Sequence, residues 1–271
     1  MTCLNADRIR ASVSKRPRAR LDSLEVFSEI DSTNKYLLEQ PAPVPGRFAV
    51  ALAEHQTAGR GRFNRNWYSA PAASLCLSMS YTFANQPRDI ASLTLAIGAG
   101  VAETLERLGI GGIGLKWPND IVIADGKVGG ILCEVQPVNS EGVTVVVGIG
   151  LNVDLRQADG LVSRIGRIAD MASGCDELPS KSEIAAVLTE CLFNTMEQFA
   201  AEGFAPLIDT WRRFDWLRGQ QITIELTEER IPGIAQGIDI DGTLILETES
   251  GRQRIGSGSV QLNGNAGCKR E

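Results

Sequence analysis

The sequence predicts an α+β fold: a mixed, mainly antiparallel sheet with flanking helices, followed by a small β barrel. Three observations lead to this prediction. Strand and helix patterns alternate along the chain as far as Trp216. Short strand patterns separated by glycine turns follow Trp216. Finally, 43% of the 271 residues are apolar, which is enough to fill a sizeable core.

We expect four segments along the chain. Residues 1 to 23 form an N-terminal extension, and the polar and basic character of its first 20 residues predicts poor order. Residues 24 to 215 form the main domain, and residues 216 to 262 form the barrel. Residues 263 to 271 (NGNAGCKRE) form a loose tail.

The main domain opens with a strand at residues 24 to 30 (LEVFSEI), where apolar and polar side chains alternate. DSTN follows, and Ser32 or Thr33 is placed to cap the helix NKYLLEQ, which PAPVPG ends. FAVALAEHQ (48 to 56) and SLCLSMSYTF (74 to 83) are predicted to be buried strands on either side of a loop.

A second helix is predicted from about Arg88 to Leu108, because the apolar spacing is helical and Gly109 follows as a C-terminal stop. GLKWPNDIVI, KVGGILCEV and VTVVVGIGLNV then predict three consecutive strands. Asp125-Gly126 predicts a hairpin turn between the first two, and VNSEG predicts a loop between the second and third. We therefore expect an antiparallel meander beside helices.

Two further helices precede the barrel. SKSE at residues 180 to 183 is a capping box that opens a long amphipathic helix to about Glu202, and FAPLIDTWRRF predicts a short one. The predicted barrel strands are QQITIEL, IAQGIDI, TLILETES and RQRIGSGSVQL, joined by turns such as Asp241-Gly242.

Composition argues against several classes of protein. The formal charge of −6 disfavours broad nucleic-acid binding, which needs a surplus of Lys and Arg. The chain shows neither a signal peptide nor a membrane span, so we expect a cytoplasmic protein. The six cysteines form no C-x-x-C pair or disulfide framework, and a single histidine, His55, rules out a His-rich metal site.

A glycine-bearing loop carries the first functional signal. GRGRFNRNW (59 to 67) places three arginines between the two buried strands, and Asp89 is the only acid between Glu54 and Glu103. Arginine presents a planar fork of donors and glycine lets the backbone approach a ligand, so the loop predicts binding of a small anion. The alternatives are a solvated hairpin loop and an RNA-binding segment of the RGG kind, which normally occurs as many repeats.

Other motifs also indicate a charged ligand. In KWPND, Lys116 and Asp120 lie at a strand end, where they can hold phosphate and magnesium, although Asn119 or Asp120 could simply form an Asx turn. KVGG and GIGLN place glycines inside strands, which marks a bulge or the close approach of a ligand. GIGGIG at residues 109 to 114 matches a dinucleotide-binding motif, but it follows a helix and precedes a strand, so it is interpreted as a helix stop.

Together these motifs resemble the biotin protein ligases, the enzymes that attach biotin to carboxylase carrier domains. The resemblance rests on DSTN (31 to 34), GRGR with its trailing arginine and tryptophan (59 to 67), KWPND (116 to 120), KVGGIL (127 to 132) and GIGLN (148 to 152). Their order and spacing match the family from about residue 24 to 262. The resemblance implies a catalytic domain of the biotin/lipoate ligase kind and an SH3-like C-terminal barrel.

The family makes biotinyl-5'-adenylate from biotin and Mg-ATP, releases pyrophosphate, and passes biotin to a lysine of the acceptor. The resemblance therefore implies ATP and Mg²⁺ as cofactors and a biotin carboxyl carrier protein as partner. The predicted barrel and an exposed sheet edge are compatible with a homodimer. When a carboxylate attacks an α-phosphate, two negative charges about 4 Å apart repel by about 4 kcal/mol at an effective dielectric near 20. Loop arginines would neutralise both anions.

Individual roles follow from the matching positions. Arg60 and Arg62 would clamp the carboxylate and phosphate, and Lys127 would reach both from the sheet. The residues implied for biotin are Ser32, Thr33, Asn34, Gln56, Gly59, Arg60, Arg62, Lys127, Gly130 and Gly148. The residues implied for ATP are Arg62, Arg65, Trp67, Lys116, Asn119 and Asn152. The implied catalytic set is Arg60, Arg62, Lys116, Asp120 and Lys127, with Asp120 binding magnesium or orienting the acceptor lysine.

Two features differ from the family or from some of its members. The family commonly has glycine where Asn64 stands, and asparagine is the other residue that best tolerates positive φ.

We expect residues 57 to 68 to be mobile without ligand, because the loop must close over the adenylate. About 23 residues precede the first strand, so we expect no helix-turn-helix domain, no specific nucleic-acid binding and no repressor role.

Two rival functions stay open. A lipoate ligase or octanoyl transferase is similar in fold, and the transferase would need a nucleophilic cysteine. Cys133 lies in an apolar strand, where a buried thiol is inert by default. The other rival is a non-catalytic module that binds RNA through the arginine loop.

Overall fold

The computed structural model describes residues 3–136, 142–158, 168–226 and 229–263. Its helices are α1 (Ala6–Ser12), α2 (Lys15–Arg20), α3 (Thr33–Glu39), α4 (Leu93–Arg107), α5 (Lys181–Glu202) and α6 (Ile208–Arg213). Its strands are β1 (Leu21–Ile30), β2 (Phe48–Gln56), β3 (Ser74–Phe83), β4 (Ile113–Lys116), β5 (Asp120–Ile123), β6 (Gly126–Val135), β7 (Val143–Asn152), β8 (Gln221–Glu225), β9 (Arg230–Ile238), β10 (Leu244–Thr248), β11 (Gly251–Ile255) and β12 (Ser259–Leu262).

A seven-stranded sheet forms the centre of the molecule, in the order β1-β2-β3-β7-β6-β5-β4. β1 and β2 run parallel, and every other neighbouring pair is antiparallel. Alternate residues of β2 point to opposite faces: Val50 joins the main core, whereas Ala51 packs with Leu37 of α3. Helices α4 and α5 contact the sheet on the core side and α3 contacts it on the opposite side, so the central strands are covered on both faces.

A separate five-stranded antiparallel sheet follows, in the order β11-β10-β9-β8-β12. It meets the first sheet at the KWPND motif. The Trp117 indole Nε1 donates to the Gly242 carbonyl at 3.0 Å, and the Leu115 amide donates to the Phe214 carbonyl at 2.7 Å. The predicted C-terminal β unit is therefore confirmed as a sheet, and its closure into an SH3-like barrel stays a prediction.

The structure confirms the α+β prediction, and β2 and β3 have the predicted bounds. Ser180 and Glu183 form both hydrogen bonds of the capping box. The prediction of one strand for GLKWPNDIVI is wrong, because the chain turns at Trp117–Pro118, whose peptide bond is cis, and forms β4 and β5. RQRIGSGSVQL likewise divides into β11 and β12. Most of the predicted loop VNSEG, and the tail after residue 263, lie outside the described residues.

The prediction of poor order near the N-terminus is wrong for residues 3 to 20. They form α1 and α2, and Asn5 caps α1 by accepting a hydrogen bond from the Arg8 amide. Ile9 and Val13 are buried against the main core, and α1 contacts α5. Two apolar side chains four residues apart were enough to bury one face of this basic segment.

Candidate active site

Most of the predicted site residues surround one cleft of about 220 Å³, between the seven-stranded sheet and the arginine loop. Those that line it are Ser32, Thr33, Asn34, Gln56, Arg60, Arg62, Arg65, Trp67, Lys116, Asn119, Asp120, Lys127, Gly130 and Gly148. The other two, Gly59 and Asn152, lie behind the lining. Among the described lining residues, Asp120 is the only acid.

One end of the cleft is a pocket of buried, uncharged polar side chains. Ser32 caps α3 by accepting from the Lys35 amide, which places Thr33 in the first helical turn. The Gln56 Oε1 atom, at the end of β2, accepts from the Thr33 amide at 2.7 Å and lies 3.0 Å from the Thr33 hydroxyl. The Thr33 hydroxyl also shares a 2.7 Å hydrogen bond with the hydroxyl of Ser78 on β3.

The polar contacts continue from this pocket to the arginine loop. The Ser78 hydroxyl donates to Asn34 Oδ1 at 2.6 Å, and Asn34 Nδ2 donates to Glu134 Oε2 at 2.7 Å. Arg60 Nη2 donates to the same Glu134 oxygen at 2.8 Å. Side chains on α3, β2, β3, β6 and the loop thus form one hydrogen-bonded series, from Gln56 to Arg60.

Two glycines make this packing possible. A Cβ on Gly148 would lie 2.2 Å from Asn34 Oδ1, and a Cβ on Gly59 would lie 2.5 Å from the Trp67 carbonyl oxygen. The space beside Gly148 is therefore filled by the Asn34 carboxamide. Gly130 faces the cleft, and a Cβ added there would lie 3.3 Å from Lys127 Nζ. Room for the biotin ring at Gly148 and Gly130 stays a prediction.

The arginine loop is a short hairpin closed by backbone hydrogen bonds. The Gly61 amide donates to the Arg65 carbonyl at 2.7 Å. Phe63 and Asn64 both have positive φ, at 55° and 56°. Asn64 therefore adopts the positive φ that asparagine was expected to tolerate. The positive φ of Phe63, which is strained for a bulky residue, was not predicted. The guanidinium of Arg62 lies 4.8 Å from the Phe63 ring centroid.

Two lysines approach the cleft from the sheet. Lys116 and Asp120 are cross-strand partners on β4 and β5, and Lys127 Nζ lies 2.6 Å from Asp120 Oδ1. Burial lowers the pKa of Lys116; the charges of Lys127 and Arg65 lower it further, and Asp120 opposes the shift. Burial also lowers the pKa of Arg62, again opposed by Asp120. At this part of the described cleft, Asp120 is therefore shared by several cationic side chains.

Trp67 packs on the sheet beside these lysines. A Cβ on Gly150 would lie 2.4 Å from Trp67 Cε2, and Lys127 Nζ lies 5.6 Å from the Trp67 ring centroid. The glycine in GIGLN thus admits the indole against the backbone. The stacking of Trp67 on adenine stays a prediction.

Two asparagines bind the protein backbone. Asn119 Nδ2 donates to the Ile131 carbonyl of β6 at 3.0 Å, so its side chain has a structural role, although this bond is not that of the Asx turn expected as the alternative. Asn152 Nδ2 donates to the Ala169 carbonyl at 3.1 Å and does not reach the cleft surface. A direct contact of either side chain with the nucleotide remains a prediction that their present bonds do not favour.

Sequence reasoning missed three parts of the site. Ser78 and Glu134 complete the hydrogen-bonded series, and residues 258 to 261 of the second sheet line the cleft. Arg65 Nη2 donates to the Ser259 hydroxyl at 3.2 Å. The pair Gly258-Ser259 was a usable signal, because a small-residue turn lets a second domain approach a ligand.

Of the two cysteines near the cleft, Cys76 is buried and Cys133 is partly buried. Burial raises the pKa of Cys133 to about 11 and that of Cys76 to about 12, so both are protonated at neutral pH. Neither is suited to act as the nucleophile that an octanoyl transferase needs. Among the described residues, no group of three or more His, Cys, Asp and Glu side chains is placed to hold a metal ion.

Comparisons with known proteins agree with this geometry. Residues 26–152 match the biotin/lipoate A/B protein ligase family, and residues 218–263 match the biotin protein ligase C terminal domain. The bifunctional ligase/repressor BirA of Escherichia coli (strain K12) is 35% identical over 227 residues, which cover 84% of this chain and 70% of that protein. The chain belongs to the biotin protein ligase family.

Other members give the same picture. The biotin–[acetyl-CoA-carboxylase] ligase of Mycobacterium tuberculosis is 31% identical over 246 residues, covering 88% of both chains. A structure of the Aquifex aeolicus biotin protein ligase in complex with biotin and ATP has a TM-score of 0.74 and 26% identity, and the match covers 89% of this chain and 98% of that one. As a member, the chain is an ATP-dependent enzyme that activates biotin and transfers it to protein.

In the described parts of the chain, no helix is long and apolar enough to cross a membrane.

Proposed function

We propose that the cleft forms biotinyl-5'-adenylate and passes biotin on from the same place, with its neutral pocket holding the ring system of biotin and its cations holding the reacting anions. One observation supports this most directly: among the residues that the structure describes, five cationic side chains and a single acid line a cleft that ends in uncharged, buried polar groups. The cations are Arg60, Arg62, Arg65, Lys116 and Lys127.

The neutral pocket suits a ureido group. A ureido group has two N–H donors and one carbonyl acceptor, and burying them without partners is costly. Thr33, Ser78 and Asn34 supply hydroxyl and amide groups that are already held in place by one another. We assign the head of biotin to this pocket and its carboxylate to the cationic end.

In the first step, a carboxylate oxygen of biotin attacks the α-phosphorus of ATP, and the bond to the bridging oxygen breaks with that electron pair leaving on pyrophosphate. The approaching anions repel by about 4 kcal/mol, which corresponds to roughly a thousandfold in rate. We assign Arg60, Arg62 and Lys127 to offset this repulsion and to stabilise the charge on the phosphate. Lys116 and Arg65 would hold the ATP phosphates.

In the second step, the amine of the acceptor lysine attacks the carbonyl carbon of the adenylate, the C–O bond to phosphate breaks, and AMP leaves.

Magnesium would shield the triphosphate of ATP in the first step. It binds readily through substrate phosphates and one carboxylate, so Asp120, the one acid among the described lining residues, fits a metal that arrives with ATP. Orientation of the lysine by Asp120 is the other implied role. Both roles remain predictions.

The wider biology is proposed on the same basis. The partner we propose is a biotin carboxyl carrier protein of acetyl-CoA carboxylase or a similar enzyme, because relatives are named for that substrate. A reaction that consumes ATP fits the cytoplasm, and a homodimer is compatible with the fold. We also propose a catalytic domain at residues 24 to 215 and a C-terminal domain at 216 to 262, which the two sheets and the two family matches support.

The test is a pyrophosphate-release assay with biotin and Mg-ATP, run with and without a biotin carrier domain. We expect Lys127→Ala to slow adenylate formation by about 100-fold or more, because one electrostatic stabiliser of the transition state is lost. Lys15→Ala is the matched control, since Lys15 is exposed on α2 away from the cleft. Equal rates for the two variants would contradict the assigned role of Lys127.

The same assay separates the rivals. A lipoate ligase would release pyrophosphate with lipoate and not with biotin. An RNA-binding module would form no AMP, and Lys127→Ala would leave its RNA affinity intact. Biotin-dependent release by the unmodified chain would exclude both as its main function.

A further inference from the structure

Glu134 is the point where the neutral pocket and the arginine loop meet. Its Oε2 atom accepts from Asn34 Nδ2 at 2.7 Å and from Arg60 Nη2 at 2.8 Å. Glu134 lies outside the cleft lining, and its side chain is about three-quarters buried. It is therefore placed to act on a ligand only through its two neighbours.

The charge of Glu134 fixes the direction of the hydrogen bonds behind it. A carboxylate only accepts, so Asn34 must turn its amino group toward Glu134 and its carbonyl oxygen toward Ser78. The Leu132 carbonyl, 3.4 Å from Asn34 Nδ2, favours the same orientation. The Ser78 hydroxyl must then donate to Asn34 and has only lone pairs left.

The same direction continues to the other end of the pocket. Because the single Ser78 proton is used, the Thr33 hydroxyl must supply the proton of its 2.7 Å bond to Ser78, so it does not also donate to Gln56 Oε1, 3.0 Å away. The Thr33 amide holds Gln56 Oε1 at 2.7 Å, which leaves the Gln56 amino group to face elsewhere. The hydroxyls thus offer acceptors to a ligand, and the Gln56 amide offers donors.

We propose that Glu134 is a positioning residue that sets which groups of the biotin pocket donate and which accept, and that links this order to Arg60 of the loop. The proposal rests on the proposed function, which places the ureido group in this pocket. That group needs acceptors for two N–H groups and a donor for its carbonyl oxygen, which is the order described above. An uncharged amide in place of Glu134 could turn around and allow Asn34 and Ser78 to reverse.

The experiment is calorimetric titration of biotin, without ATP, into the full chain and its variants. For Glu134→Gln we expect the biotin Kd to rise about tenfold or more, as for loss of a charged hydrogen-bond acceptor. Glu134→Asp keeps the charge and should recover part of the affinity. Glu106→Gln is the matched control: Glu106 pairs with Arg213 at 2.7 Å on the outer surface, and its loss should change the Kd less than twofold.

A double-mutant cycle separates positioning from general damage. Ser78→Ala alone should weaken biotin binding, but its effect should shrink several-fold in the Glu134→Gln background, because the order it depends on is already lost. Melting temperatures identify any variant that does not fold, and Glu134→Ala replaces Glu134→Gln in the cycle if Glu134→Gln does not fold. In the Glu134→Asp background, which keeps the charge, Ser78→Ala should keep most of its effect. A biotin Kd within twofold of the unmodified chain for Glu134→Gln, or independent effects at the two positions, would overturn the proposal. No biotin binding by the unmodified chain would instead overturn the proposed function.

Discussion

The cleft has two walls that hold their polar groups differently: the sheet wall, which includes Ser78 of β3 and Asn34 of the adjoining helix α3, and the loop wall, which includes Arg60 and Arg65. On the sheet wall, Ser78 and Asn34 are buried, and their bonds to each other and to Glu134 measure 2.6 and 2.7 Å. On the loop wall, Arg60 and Arg65 are exposed, and they reach partners at 2.8 and 3.2 Å across the surface.

This difference matches what each wall would do during the reaction. The head of biotin does not change while it is activated, so a pocket whose side chains hold one another in place can bind it throughout. The anions at the other end change shape and charge as pyrophosphate leaves. Exposed ion pairs contribute less than about 1 kcal/mol each, so the loop can exchange partners at little cost.

The largest expected effect comes from breaking the sheet wall. A Cβ at Gly148 would lie 2.2 Å from Asn34 Oδ1, so Gly148→Ala must displace the carboxamide and with it the bonds to Ser78 and Glu134. We expect the biotin Kd to rise about 100-fold, since more than one buried hydrogen bond is lost. Calorimetric titration with biotin measures it.

A second glycine provides the control for this substitution. A Cβ at Gly256 would meet nothing within 4 Å, so Gly256→Ala should bind biotin as the unmodified chain does. If Gly148→Ala also bound biotin unchanged, the sheet wall would be as adaptable as the loop, and the contrast between the two walls would be wrong.

A smaller effect is expected where a buried carboxylate has too few partners. Asp215 lies at the junction of the two sheets; the Leu217 amide donates to its Oδ1 at 3.0 Å, and no described residue donates to its buried Oδ2. Burial raises the pKa of Asp215 to about 6. The folded state therefore holds this proton more tightly than the unfolded state, and stability falls as pH rises from about 4 to about 6.

Asp215→Asn removes this pH dependence. We expect the variant to gain about 2 kcal/mol in free energy of unfolding relative to the unmodified chain between pH 4.5 and pH 7.5. Urea unfolding at the two pH values measures the change. If the free energies of unfolding of the variant and the unmodified chain differed by the same amount at both pH values, the Asp215 carboxylate would have enough hydrogen-bond donors in the folded state. Incomplete hydrogen bonding would then be confined to the loop wall.

The sequence predicted the residues whose chemistry is visible locally. Lys116, Lys127 and the loop arginines could be named because charge beside glycine or a strand end suggests an anion site. Glu134 and Ser78 could not, because their roles depend on Asn34, which is 100 and 44 residues away along the chain. Strand alternation in β3 and β6 predicts which face a side chain takes, but not the partner it meets there.

The order of the strands in the first sheet could not be predicted from the sequence for a similar reason. β1 pairs with β2 in parallel, and β7 inserts beside β3, so neighbours in the sheet are not always neighbours in the sequence. The meander from β4 to β7 was predictable because each strand pairs with the next. KWPND illustrates the limit: its proline signalled a break, yet the fold uses that break as a turn between two strands.

The smallest expected effect comes from the loop wall. A Cβ at Gly150 would lie 2.4 Å from Trp67 Cε2, so Gly150→Ala must lift the indole from the sheet. Because the loop is already held by few exposed contacts, we expect tryptic cleavage within residues 57 to 68 to become only about tenfold faster without ligand. Timed digestion followed by mass spectrometry measures the rate at each arginine.

Ligands should act on this rate in the opposite direction. Biotin and ATP together supply anions that can pair with the loop cations, so they should protect residues 57 to 68 in the unmodified chain and, at higher concentration, in Gly150→Ala. Cleavage outside the loop serves as the internal reference. If cleavage of the loop were equally fast with and without both ligands, the loop would not close over them. The exposure of its cationic side chains could then not be explained by an exchange of ion-pair partners during the reaction.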